Sequence, residues 1–147
     1  VKSVTVSRSW PSALTVRVVE RVPVVAVPRP GSIDLYDTEG VLVDRVGQVP
    51  PGTPRLAVAT GGAPGREVVT AAVDLLRALP PALRVHVRDL RADGPASLSF
   101  SFADGAQVVW GNGERTPEKV RALELLVRQH ARRYDVRVPD RPAVVPR

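Results

Sequence analysis

Residues 96–138 read ASLSFSFADGAQVVWGNGERTPEKVRALELLVRQHARRYDVRV, and this stretch holds the elements from which the rest of the fold can be placed. Leu98, Phe100 and Phe102 alternate with Ser97, Ser99 and Ser101, the period of a strand with one buried face. Asp104-Gly105 then suits a two-residue primed turn, in which both central residues take positive φ. The chain doubles back through Gln107 to Trp110 and breaks at Gly111-Asn112-Gly113. Thr116-Pro117 predicts a helix cap with proline at the first helical position. Val120, Leu123 and Val127, flanked by Leu126 and His130, recur at three- and four-residue spacing and predict the face that packs on the sheet. Tyr134-Asp135-Val136-Arg137-Val138 alternates again before Pro139 and Pro142 stop it.

Working back toward the amino end, Leu83 to Leu90 reads as a strand with Val85 and Val87 inward and Arg84, His86 and Arg88 outward. Val68, Val69, Ala72, Leu75, Leu76 and Leu79 form the apolar stripe of a helix over 67–79, ended by Pro80-Pro81. Leu56 and Val58 form a short apolar piece after an irregular loop over 47–54. Ile33 to Val43 predicts a hairpin around Asp37-Thr38-Glu39-Gly40. Val4 and Val6, then Leu14, Val16 and Val18, predict two antiparallel strands joined through Trp10-Pro11-Ser12-Ala13. Such a hairpin is marginal alone, so it is expected to belong to a larger sheet. Pro28-Arg29-Pro30-Gly31 is the sharpest change of composition, and the expected division falls there: 1–27 as the end of one domain, 28–147 as a second. The fold class expected is α+β, a mostly antiparallel sheet with two helices on one face.

The composition narrows the function. The 147 residues include no methionine, which predicts a piece of a longer chain, and no apolar run near the ~20 residues of a membrane-spanning helix. With no cysteine, thiol catalysis and cysteine-bound zinc are excluded. Although the net charge is +6, the arginines are scattered, only Arg132-Arg133 are adjacent, and few aromatics are present to stack on bases. A solvated basic surface is the plainer reading than a nucleic-acid site.

No residue set points to catalysis. Gly61-Gly62-Ala63-Pro64-Gly65-Arg66 precedes a helix but lacks the lysine and hydroxyl of a phosphate loop. His86 and His130 stand at no metal-ligand spacing. Asp34, Asp37 and Glu39 read as turn chemistry rather than an acid/base pair. Catalytic, cofactor and metal residues are therefore expected to be absent.

Binding remains. A strand running into Val138-Pro139-Asp140-Arg141-Pro142 is confined to a sheet edge, because proline cannot donate to a ladder. Its free main-chain groups could accept a partner strand, or the arginines and prolines could serve only to blunt the edge. Proline at Val136 or Val138 is expected to remove outward ladder groups and spare the fold.

The order of motifs resembles one family. Arg8-x-Trp10-Pro11-x-x-Leu14-x-Val16-x-Val18-x-Glu20-Arg21-x-Pro23-Val24 is similar to the FtsQ/DivIB cell-division signature at the end of its POTRA domain. Asp37-x-x-Gly40-Val41 resembles the turn that follows it. Val109-Trp110-Gly111, Lys119 and Tyr134-Asp135-Val136-Arg137-Val138-Pro139 resemble the close of actinobacterial members. The resemblance implies that 1–27 are the last POTRA strands and 28–147 the β domain. It also implies a non-enzymatic divisome scaffold, anchored by an upstream helix to the extracytoplasmic face of the cell membrane at the septum. There it would bind FtsB-like and FtsL-like proteins and regulate septal peptidoglycan synthesis. Carried onto this chain, the partner-binding residues are Tyr134, Asp135, Val136, Arg137 and Val138, with Ala143, Val144 and Val145 of the tail. Members from Gram-negative bacteria carry an aromatic near the position of Val138 and no proline after it, which implies a shorter pairing register here. The alternative is a POTRA-containing secretion or outer-membrane assembly module that binds extended polypeptide.

Overall fold

Alternation in the first residues produces strands β1 (Ser3–Ser9) and β2 (Ala13–Val19), antiparallel, with Val4 opposite Val18 and Val6 opposite Val16. The computed structural model describes residues 1–10 and 13–147, so Pro11 and Ser12 of the expected connection lie outside the described residues. Both faces of this hairpin are exposed.

The remaining strands build a sheet of nine: β3 (Pro23–Arg29), β4 (Ser32–Asp37), β5 (Leu42–Val46), β6 (Arg55–Val58), β7 (Val87–Ala92), β8 (Leu98–Phe102), β9 (Gln107–Gly111), β10 (Arg133–Asp135) and β11 (Ala143–Val145). Across the sheet the order is β11-β10-β9-β8-β7-β6-β3-β4-β5. Five neighbouring pairs are antiparallel and three parallel, so the α+β class with a mostly antiparallel sheet holds.

Two of the parallel pairs explain where the helices sit. Helix α1 (Arg66–Ala78) connects β6 to its parallel neighbour β7, and α3 (Thr116–Leu126) connects β9 to its parallel neighbour β10. Strands β6 and β9 point the same way, and both crossovers step in the same direction across the sheet. The right-handed rule for such crossovers therefore puts both helices on one face. Val69, Ala72, Val73 and Leu76 of α1 and Leu123 and Leu126 of α3 bury with Leu56, Leu90, Phe100, Val108 and Trp110 of the strands. Each large apolar side chain so buried contributes roughly 1.5–3 kcal/mol. Phe100 meets Phe102 edge-on at 5.4 Å between ring centres.

Several expectations are corrected here. The Pro28–Gly31 segment is not a break between sheets: β3 pairs with β4 across a turn at Pro30-Gly31, and the two sheets separate between Val19 and Pro23. Pro28 is tolerated inside the sheet because β3 meets β6 only where Ala26 lies opposite Arg55, so little ladder is lost beyond that point. Val85 is not an inward strand residue. Proline at the first helical position opens a single helical turn, α2 (Pro81–Arg84), which leaves Val85 71% exposed and delays the strand to Val87.

The turn after β8 is a three-residue loop, not a two-residue one. The Gly105 amide donates to the Phe102 carbonyl and the Phe102 amide to that of Ala106, and only Gly105 takes positive φ (+86°). Helix α3 starts from Arg115 in the left-handed region (φ 53°), so Thr116 is the first helical residue rather than the cap. Its buried stripe is Lys119, Leu123 and Leu126, with Val120 and Val127 only half-buried. His130 is exposed and left-handed (φ 49°) just past the last turn.

Candidate docking edge

The C-terminal edge is built on β9. Val136 donates its amide to the Val109 carbonyl at 3.0 Å, and Gln107 donates to the Arg132 carbonyl at 3.0 Å. Because main-chain groups alternate sides along a strand, Arg133 and Asp135 turn theirs away from β9. That outer side is occupied by the chain's own tail: in β11, Val145 lies opposite Arg133, Val144 opposite Tyr134 and Ala143 opposite Asp135. The edge expected to be free at Tyr134–Val138 is thus a three-residue strand already paired on both sides. The physical reason is that the bends and turn from Arg137 to Arg141 bring the chain back, so that residues after Pro142 can pair with β10.

Among the eight expected site residues, Tyr134 and Val136 point into the core. Tyr134 is 3% exposed and its hydroxyl accepts the Ala131 amide at 2.9 Å; Val136 is fully buried. Asp135 accepts from the Arg137 guanidinium at 2.6 Å and from the Arg137 amide at 3.1 Å, which caps the strand before it can reach Val138. The Arg137 contact holds the Asp135 carboxyl below its ordinary range against a partial burial that raises it. Gly111, at φ +80°, makes room for the Arg137 stem, since a Cβ there would stand 3.1 Å from Arg137 Cγ. Val138 is exposed, as are Ala143 and Val145, and Val144 is half-buried.

Sequence reasoning missed what pins the tail. Arg115 donates two hydrogen bonds to Asp140, at 2.6 and 2.8 Å, and Arg147 reaches Asp104 at 2.7 Å. The Arg115 contact also draws the Asp140 carboxyl below its usual range. Separations of 25 and 43 residues leave no local signal of such pairs. Lys119, named from the sequence only within the family resemblance, is buried at the end of β9 with its ammonium donating to the Asn112 carbonyl at 2.9 Å and side-chain oxygen at 3.1 Å, and 5.7 Å from the Trp110 ring centre. Its burial had one further sign, a basic residue on an otherwise apolar stripe.

Elsewhere, two open hollows of about 380 and 500 Å³ lie away from the edge, the first between α1 and Trp110, the second by Pro28, Ile33 and Arg55. Asp34 pairs with Arg45 at 2.7 Å and Arg29 at 3.1 Å, while Asp37 accepts the Glu39 and Val41 amides and pairs with Arg21. Asp34 is therefore engaged in tying β4 to β3 and β5, and Asp37 in holding the β4–β5 turn. No group of three or more histidine, aspartate or glutamate side chains converges among the described residues. No helix among them is long and apolar enough to cross a membrane.

Known proteins resemble this chain in sequence and in fold. A family model described as cell division protein FtsQ/DivIB, C-terminal, matches residues 26–140. The chain is similar to cell division protein FtsQ of Mycolicibacterium smegmatis, 39% identical over 95% of this chain and 41% of that protein. FtsQ of Mycobacterium tuberculosis is 38% identical over 98% of this chain and 45% of its own length, and that of Streptomyces bingchenggensis 36% over 98% and 57%. The chain therefore spans about half the length of the curated relatives it matches. In fold it resembles the major extracytoplasmic domain of DivIB from Geobacillus stearothermophilus (trans isomer), with a TM-score of 0.50 and 15% identity over 63% of this chain and 80% of that one. A family match through β3 to the turn after β10, joined to relatives aligned along nearly the whole chain, places it: the chain belongs to the FtsQ/DivIB family of cell division proteins.

Proposed function

We propose that the chain is the extracytoplasmic, non-enzymatic part of a membrane-anchored divisome scaffold that binds FtsB-like and FtsL-like proteins by strand addition at its C-terminal edge. Through them it recruits and regulates septal peptidoglycan synthesis. In this reading the β1–β2 hairpin completes a POTRA domain with segments upstream, and the sheet from β3 onward is the docking domain. The observation that carries the reading is that the sheet closes, on its C-terminal side, in a short strand pair with exposed residues and, among the described residues, no strand beyond β11. An edge of that kind offers main-chain donors and acceptors to an extended segment, each hydrogen bond contributing about 0.5–1.5 kcal/mol net. Docking residues are Asp135, Arg137 and Val138 at the surface, with Tyr134 and Val136 holding the strand from below and Ala143, Val144 and Val145 lying along its outer side.

The test is calorimetric titration with a synthetic peptide covering the extended extracytoplasmic segment of the FtsB-type protein from the same organism, against the same peptide N-methylated at alternate amides. Methylation removes the ladder bonds from the ligand and leaves this chain untouched. Strand addition predicts loss of binding to the methylated peptide. Equal affinity for both peptides would contradict it.

A further inference from the structure

Resting on the strand-addition reading just given, we infer that β11 is a self-strand that holds the β10 edge until a partner strand displaces it, so that docking exchanges one strand for another. Three observations carry this. First, a partner pairing with β10 would need the outward main-chain groups of Arg133 and Asp135, and those are the groups that face Val145 and Ala143. Second, from Arg137 to Arg147 the chain buries no residue fully, whereas Tyr134 and Val136 immediately before it are buried. The tail can therefore lift without opening the core, the condition for local rather than global unfolding. Third, what pins it is mostly exposed: three strand pairs, the Arg132 amide on the Val145 carbonyl at 2.9 Å, half-buried Val144 against the core, and the pairs Arg115–Asp140 and Arg147–Asp104 with side chains about half in solvent. Ion pairs so placed hold weakly and are screened by salt.

The geometry also supplies a lock. Arg133 and Val145 face each other across the two strands, both exposed, and the chain contains no cysteine. Within one chain, the double variant Arg133→Cys/Val145→Cys can therefore form only the bond that staples β11 down, within the Cα separation that directly opposed strand residues allow. Three forms are titrated with the FtsB-type peptide: the oxidised double variant, the same protein reduced, and a chain ending at Arg141.

Displacement predicts that the oxidised form loses binding and that reduction restores it. The shortened chain should bind about tenfold tighter, the gain expected when an edge closed roughly nine-tenths of the time becomes always open. Equal binding by oxidised and reduced forms would overturn displacement, since the partner would then be adding outside β11. Weaker binding by the shortened chain would overturn it equally. The N-methylated peptide keeps the two ideas apart: should it bind every form as well as the plain peptide does, strand addition itself fails, whatever the lock does.

Discussion

Lys119 gives the sharpest energetic test of how the edge is supported. It is 1% exposed, and among the described residues no carboxylate lies within ion-pair distance of it. Its ammonium is held by two oxygens of Asn112 and by the face of Trp110. Hydrogen bonds to a charged group contribute about 1.5–3 kcal/mol each, and a partly desolvated cation–π contact roughly 0.5–2 kcal/mol. Burying the ammonium opposes these by several kcal/mol. Lys119→Met keeps most of the stem, frees a half-exposed Asn112 for water, and should cost about 1–2 kcal/mol. Lys119→Ala also empties the stem's space, about three methylenes at ~0.8 kcal/mol each, so it should lie about 2 kcal/mol below the methionine variant. Urea unfolding of the three proteins reads both steps.

A pH series adds the sign. Burial lowers the Lys119 pKa from its ordinary 10.5, with Arg115 assisting and Glu114 opposing. Between the lowered value and 10.5 the unfolded chain binds more protons than the folded one, so wild type should gain stability relative to Lys119→Met as pH rises through that window. An alanine variant as stable as wild type, or a wild type that loses stability against the methionine variant there, would refute the buried ammonium without a carboxylate partner.

Three further outcomes follow from the same geometry. Val136→Pro, which the strand pattern alone marks as harmless to the fold, should cost about 3 kcal/mol or more, because Val136 is fully buried and its amide bonds Val109; a thermal melt checks this. Gly111→Ala should cost about 1–2 kcal/mol from its positive φ alone, and a nuclear magnetic resonance spectrum should show the Arg137 amide leaving Asp135 as the new Cβ presses on the Arg137 stem. Asp34, held below its ordinary carboxyl range by Arg45 and Arg29 against its burial, stabilises the fold above the unfolded-state value near 3.8. The stability difference between wild type and Asp34→Asn should therefore be flat near neutrality and shrink as pH falls below about 4, measured by urea unfolding across pH.

Much of this fold is legible in the sequence where one period dominates. Leu98, Phe100 and Phe102, and the stripe from Val68 to Leu79, declare themselves because alternate or helical spacing persists over several residues and every apolar position then buries. Failure begins where two signals compete in a few residues. Pro80-Pro81 reads as a stop, yet the second proline also starts a helical turn, and that removes Val85 from the strand. In α3 the apolar stripe is shifted by one position because Lys119 packs as a core residue, its charge satisfied by a loop carbonyl that no spacing rule reveals. At the docking edge the strand itself was legible. Its covering was not: β11 is three residues long, follows two prolines, and is held by pairs distant in sequence.

The most direct measurement is hydrogen exchange followed by mass spectrometry on the chain alone and with the FtsB-type peptide bound. Docking by exchange of strands predicts that amides of 133–135 stay protected or gain protection while those of 143–147 become fast. Slowed exchange confined to α1 and α3, with both edge segments unchanged, would contradict docking at the C-terminal edge.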